Sequence, residues 1–394
     1  MSNSRNPNSL RLGILSFGGA GQAQLSHFLS MKGCEVAAIF DPAEDARVRA
    51  LKRVPKVLVT GNLDEMLSKV DAVAVCSPDS THASYMARCL EAGKHVVCEK
   101  PLTDSVQGYE EILDAEKRHP GLICSVQHQM RFVPVHLKMK ELIRRKALGQ
   151  ISYIEGYYVH NLRERSSAHH NWRFTDNATL MVYAGCHFVD LFRWLLDDEV
   201  VEVTAMANHL AFPEYPESDL NAILLRFRSG VIAKMVVAFG AGRPQDHTVR
   251  VYGDKASIEN NLLFHEDGRF EMIARPKLGT FRGYTRFPPA KALMWLNDLK
   301  TCSIGLAMEL LMRLQGQSHP FYGVSSYPMR LYEHGIAVND SLRDFVECVQ
   351  TGRAPLVGLK DSARTVATCL AGLEAFRTSR VVQVKDFWSP CLDD

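Results

Sequence analysis

Gly93-Lys94-His95-Val96-Val97-Cys98-Glu99-Lys100-Pro101 is the stretch that decides the fold of this chain. His95 to Cys98 is a short apolar run of the kind that forms a buried strand, and it stops at Glu-Lys-Pro. Proline cannot continue a hydrogen-bonded ladder and restricts the residue before it. Lys100 is therefore held on a stiff turn at the carboxyl end of a parallel strand, the edge at which open α/β sheets bind ligands. A lysine there supplies a fixed positive charge, or a proton if its pKa is lowered.

Outward from this stretch, apolar runs alternate with helical patterns. Leu12–Leu15, Glu35–Phe40, Val57–Val59, Ala72–Cys76 and Leu122–Val126 read as further strands, and Gln22–Met31, Asn62–Val70 and Ser84–Ala92 as helices. Alternation at this spacing predicts a doubly wound parallel sheet. After Pro134 a helix to about Lys146 gives way to long strand-like runs at Ile151–His160, Val200–Ala211, Leu220–Phe227, Val231–Phe239 and Thr248–Val251, with Arg228-Ser229-Gly230 as a hairpin turn. The expected division is a disordered polar tail over residues 1–10, a nucleotide-binding domain over 11–134, and a mainly antiparallel α/β domain over 135–394. Residues 264–332, rich in proline, read as loops, or as an insertion with a helix near Leu306–Leu314. Helices return at Asp340–Val349 and Ser362–Arg377, the last of them expected to pack back toward the first domain.

Composition narrows the function classes. The 394 residues carry 46 basic and 44 acidic side chains, a net charge of +2 with no basic stripe, which excludes a nucleic-acid footprint. No apolar run approaches the roughly 20 residues that span a bilayer. The polar start lacks the apolar core of a signal peptide. The ten cysteines are scattered without a Cys-x-x-Cys pair. Buried reduced thiols in a cytoplasmic protein are the expectation.

Ser16-Phe17-Gly18-Gly19-Ala20-Gly21 follows the first strand and opens the first helix, the place of a Gly-x-Gly-x-x-Gly dinucleotide fingerprint. Gly18 and Gly21 fit its second and third glycines, and Ser16 stands where the first belongs. Gly18 lets backbone approach a pyrophosphate; Gly21 lets helix pack on strand. Phe17, Gly19 and Ala20 complete the turn, whose helix amino terminus favours phosphate charge. Asp41 ends the second strand 23 positions after Gly18, near the ~20 expected of a ribose-binding acid. A carboxylate there favours NAD over NADP, unless it only caps the turn at Pro42. Ser77, Pro78 and His82, with Glu99 and Lys100, are the further candidate cofactor contacts; for His82 a structural role is an equal expectation.

Ser77-Pro78-…-His82, Ala92-Gly93-Lys94-His95-Val96 and Glu99-Lys100-Pro101-Leu102 together resemble the glucose–fructose oxidoreductase / inositol dehydrogenase (Gfo/Idh/MocA) family. The likeness extends through Arg131-Phe132-x-Pro134, Gly185-x-His187-x-x-Asp190, Phe345 and Gly352-Arg353-x-Pro355, so it covers about residues 11–385. The resemblance implies a Rossmann domain followed by an α/β domain with a large open sheet. That sheet would form a homo-oligomer interface, dimer or tetramer. It also implies hydride transfer between NAD(P) and a hydroxyl or carbonyl of a sugar, cyclitol or related molecule. Lys100 and His187 would flank the reacting carbon, with His187 as acid/base and Lys100 stabilising developing negative charge. The family usually carries Asp four residues before this histidine, where the chain has Tyr183. Four residues apart on a helix share a face, so Tyr183 is a third candidate catalytic residue, its phenol donating or relaying a proton, or else an aromatic filler. The change opens two alternatives: a redox-neutral glycosidase or lyase on the same fold, and a non-catalytic dinucleotide-binding homologue.

Arg163-Glu164-Arg165 and His169-His170-Asn171-Trp172-Arg173 crowd one loop just before the His187 helix. His170, Trp172 and Arg173 are candidate substrate contacts, as is Arg131, because Arg forks bind anions and Trp stacks on a sugar face. Asp190 and Arg193 read as supporting residues. The histidines lack carboxylate or thiol ligands at helical spacing, so no metal is expected.

Overall fold

Six strands, β1 (Leu10–Leu15), β2 (Cys34–Phe40), β3 (Leu58–Thr60), β4 (Ala72–Val75), β5 (His95–Cys98) and β6 (Cys124–Val126), pair in parallel in the order β3-β2-β1-β4-β5-β6. The computed structural model in which they lie describes residues 9–163, 179–242, 246–273 and 331–393. The central strands are covered on both faces; every residue of β4 is buried. That explains their unbroken apolar runs. Helices α1 (Gly19–Ser30), α2 (Glu44–Arg53), α3 (Leu63–Leu67), α4 (His82–Glu91) and α5 (Val106–Arg118) make the crossovers. Strand order reverses between β1 and β4, which opens a crevice at the carboxyl edge. The glycine turn, Asp41, Ser77, Glu99 and Lys100 all follow strand ends on this edge.

After α6 (Pro134–Arg144) comes a nine-stranded sheet built from β7 (Ile151–Val159), β8 (Val200–Asn208), β9 (Leu220–Phe227), β10 (Ile232–Ala238), β11 (Asp246–Gly253), β12 (Ala256–Glu259), β13 (Leu262–His265), β14 (Phe270–Met272) and β15 (Val382–Gln383). Its order is β14-β13-β12-β11-β7-β10-β9-β8-β15, and all pairings are antiparallel except β7 with β10. The hairpin at Arg228-Ser229-Gly230 joins β9 to β10, with Gly230 at φ +93°. The sequence expectation of loops from Phe264 onward is corrected by β13 and β14. The expected helix near Leu306–Leu314 lies outside the described residues.

A wide turn, Met181–Gly185, leads into α7 (Cys186–Leu196), which lies on the inner face of the large sheet. The approach is close: a Cβ on Gly156 of β7 would sit 2.3 Å from the Phe188 ring. Helix α9 (Leu359–Thr378) covers the same face beside it. Helix α8 (Leu331–Thr351) takes another course. It returns to the first sheet, where Leu342, Phe345 and Val346 join Phe17, Leu25 and Phe28 in one core, and Gln350 Nε2 donates to the Gly33 carbonyl at 2.9 Å. The chain end also crosses back: Tyr109 of α5 donates its hydroxyl to the Phe387 carbonyl at 2.6 Å.

Candidate active site

Ser16 is held at φ +75°, the left-handed conformation that glycine makes easily. It therefore performs the first fingerprint glycine's turn without being one. Gly21 has no such latitude, because a Cβ there would lie 2.1 Å from the Ser16 carbonyl oxygen. At Gly18 and Gly19, by contrast, a Cβ would meet no protein atom within 4 Å. Those two glycines leave open space at the start of α1, which has no acidic side chain in its first turn. This is the cradle a pyrophosphate needs. Gly21→Ala is expected to force helix from strand, destabilising the protein by roughly 1–3 kcal/mol. Dinucleotide affinity should fall with it, read by thermal melting and by fluorescence titration.

Asp41 caps its turn, one of the two roles the sequence left open for it. One carboxylate oxygen accepts the Phe17 N–H at 2.7 Å and the Ser16 hydroxyl at 3.4 Å; the other accepts the Ala43 N–H at 2.9 Å. It caps its own turn and at the same time locks the glycine turn to the end of β2. The Phe17 N–H is taken by Asp41 and its ring is in the core, so it shapes the turn. His82 takes the structural one of the two roles that the sequence left open. It is fully buried, with Nδ1 2.8 Å from the Pro101 carbonyl and Nε2 2.9 Å from the Ser77 carbonyl. It therefore ties the turn after β4 to the turn that carries Lys100. Burial pushes its pKa down.

Two glutamines missed by the sequence reading sit beneath this edge. Gln24 on α1 donates through Nε2 to Glu99 Oε1 at 2.9 Å and to Gln127 Oε1 at 2.8 Å, so the Glu99 carboxylate is anchored to the helix that follows the glycine turn. Gln24 lies on the α1 face that packs on the sheet, and a polar side chain on that face was the available signal.

Lys100 reaches across to the second domain. Its ammonium donates to the Tyr183 carbonyl at 3.0 Å and lies 3.9 Å above the centre of the Tyr183 ring. Tyr183 belongs to the wide Met181–Gly185 turn, a geometry frequently found at functional sites. The face of its ring meets the lysine, a cation–π contact. Partial burial works against the charge on Lys100, but the Tyr183, Cys186, Tyr158 and Asp79 side chains outweigh it and push its pKa up to about 12. Of its two roles left open by the sequence, the fixed positive charge is the one this environment favours.

His187 lies in the first turn of α7, next to Cys186 and four residues beyond Tyr183. Its ring stacks on Tyr158 at 5.5 Å with 6° between planes, and Tyr158 in turn stacks on His247 at 4.3 Å. Tyr158 is thus the shared neighbour of His187 and Lys100. His247 and Tyr158 were not singled out from the sequence, although the alternation of β7 and β11 places both on the inner face. His170, Trp172 and Arg173 lie outside the described residues.

Arg131 is not available for substrate. It is 3% exposed and makes a two-pronged pair with Asp190 (2.5 and 2.8 Å) plus a bridge to Asp361 at 2.6 Å. Arg193 repeats the pattern on Glu199 and Asp361. His128, beside them, donates or accepts with Ser362 Oγ at 2.8 Å and is pushed down to about 4 by burial.

Comparison with known proteins agrees with this arrangement. Residues 10–128 match the model described as an oxidoreductase family with an NAD-binding Rossmann fold, and residues 136–259 match the GFO/IDH/MocA C-terminal domain. Together they span more than half of the chain, which belongs to the Gfo/Idh/MocA family of NAD-binding oxidoreductases. Inositol 2-dehydrogenase 2 of Saccharopolyspora erythraea is 27% identical over 286 residues, 70% of this chain and 80% of that protein. The 4-carboxy-2-hydroxymuconate-6-semialdehyde dehydrogenase of a Sphingobium species is 29% identical over 243 residues, 60% of this chain and 74% of that one. Among solved structures, scyllo-inositol dehydrogenase of Lactobacillus casei with bound NAD(H) and scyllo-inositol shares the fold at a TM-score of 0.73 and 18% identity, over 95% of this chain and 99% of the other. Among the described residues no helix is long and apolar enough to cross a membrane.

Proposed function

We propose that this chain oxidises a secondary hydroxyl of a sugar- or cyclitol-like molecule with NAD, or reduces the corresponding carbonyl. The observation that carries the proposal is the Lys100 ammonium bonded to the turn that leads into His187. Gly18, Gly19, Asp41 and Glu99 would hold NAD, which when bound supplies the acceptor for the hydride of the carbinol carbon. Lys100 keeps its proton and stabilises negative charge on the reacting oxygen. The hydroxyl proton goes to the His187 imidazole. Asp41 supports NAD over NADP, since its carboxylate would repel a 2′-phosphate. The relatives named above support a small polar substrate.

NADH absorbance during incubation with inositol isomers, aldoses and their oxidised derivatives tests this. The expected result is substrate-dependent NADH formation that His187→Ala lowers by about 10²–10⁴-fold. Conversion without accumulated NADH would establish the redox-neutral alternative, and NAD binding without any conversion the non-catalytic one.

The outer face of the large sheet supports a homo-oligomer. Met206 is 81% and Leu224 45% exposed, beside half-buried Ile232, Val236 and Tyr157. Next to this apolar strip Glu155 is held by Lys234 at 2.7 Å and Arg250 at 2.9 Å. We place a second copy on this face. Met206→Glu with Leu224→Lys is expected to convert the oligomer to monomer, measured by light scattering after size exclusion; an unchanged mass would remove this face from the interface.

A further inference from the structure

Among the described residues no carboxylate makes a hydrogen bond or ion pair with the Lys100 ammonium. Its only close polar partner among the described residues is the neutral carbonyl of Tyr183, with the neutral ring below it. Asp79 is the one carboxylate among the groups that act on it most, and the weakest of them. The other acids nearby are held elsewhere: Glu99 by the Gln24 amide, Asp190 by Arg131, and Asp361 by Arg131 and Arg193. Around the same Tyr158 ring stand three imidazoles, His160, His187 and His247, at 6.5, 5.5 and 4.3 Å between ring centres. One ammonium and three imidazoles therefore stand around the Tyr183 and Tyr158 rings.

A partly buried cation without a counter-charge is costly, and a ligand that brings the missing charge recovers that cost. A ring face attracts an ammonium but, unlike a carboxylate, does not neutralise it. We propose that the substrate is a polyol carrying a carboxylate close to the reacting carbinol, such as an aldonate or uronate, so that the Lys100 ammonium meets both the reacting oxygen and the neighbouring anionic group. Tyr183 acts as a positioning residue: it holds the ammonium in place and leaves its charge for the ligand. This rests on the dehydrogenase function proposed above and narrows it to an acidic substrate.

The test has two independent readouts. In the first, kcat/KM with NAD is compared between aldonates or uronates and neutral inositols and aldoses. The carboxylated polyols should be favoured by about tenfold or more, the worth of a charge-assisted contact. Tyr183→Asp, which supplies the missing carboxylate from the protein, should narrow that ratio by about the same factor. Neutral polyols turned over as well as their acids would overturn the inference while leaving the dehydrogenase intact. In the second readout, the same compounds are tested for a shift in melting temperature. If no compound reduces NAD, the dehydrogenase function fails and this readout alone decides. Stabilisation by gluconate and glucuronate but not by inositol or glucose, lost in Lys100→Met, supports an acid-binding cleft. Equal shifts, or none, overturn it.

Discussion

Lys100→Met should lower kcat by about 10²–10³-fold, the usual cost of removing one fixed charge that stabilises a developing oxyanion. Methionine keeps much of the length and apolar stem, so the Tyr183 ring retains a packing partner while the ammonium is lost. NAD affinity should change little, because the glycine turn and Asp41 do not involve the ammonium. Activity in the parent enzyme should not fall between about pH 7 and 10 through loss of this charge, since Lys100 is pushed up to about 12. An alkaline decline in that range that disappears in Lys100→Met would show the lysine titrating, and would shift the proton-transfer role toward it. Unchanged turnover in the variant would remove Lys100 from the chemistry altogether.

Arg131→Ala should destabilise the protein by about 3–5 kcal/mol, because it leaves Asp190 buried and charged without its partner. The carboxylate is fully buried on α7, so water does not replace the guanidinium. Arg131→Met together with Asp190→Leu removes both charges and should recover a good part of that loss. Thermal or urea unfolding distinguishes the two variants. The same cluster sets an acid limit. Burial tends to raise the pKa of Asp361, but Arg131 and Arg193 bring it down to about 2. A carboxylate depressed in the folded state adds stability that is complete above its unfolded pKa of 3.8 and disappears as pH falls toward 2. Cooperative acid unfolding should therefore begin below about pH 4 and shift upward in Arg131→Ala. Equal stability of parent and Arg131→Ala would mean that this cluster does not hold α7 to α9.

The doubly wound sheet was legible because its strands are buried on both faces, so each appears as an unbroken apolar run ending at a turn residue. Glu-Lys-Pro after β5 and the glycine turn after β1 mark the same edge. Helix α2 gave no such sign: only Ala46 and Ala50 of its ten residues are buried, and its other positions are mostly charged. The strands β12 to β14 are three or four residues long, too short for alternation to stand out. At the site, Lys100, His187 and Asp41 carry local signals. The partner of Arg131 does not, since Asp190 and Asp361 lie 59 and 230 positions away and only the fold brings them together. The part played by Tyr183 was equally hidden. A helical spacing of four places its phenol toward the cleft, whereas the wide turn presents its carbonyl and ring face to a lysine 83 positions upstream.

The return of α8 to the first sheet has a consequence for how the chain is made. Phe17, Leu25 and Phe28 are sealed only when Leu342, Phe345 and Val346 arrive. A ribosome must release more than three hundred further residues after the glycine turn before that part of the core can close. A fragment cut at residue 134 would expose an apolar seam, and would be expected to aggregate during expression unless a segment equivalent to Leu331–Thr351 were grafted to it.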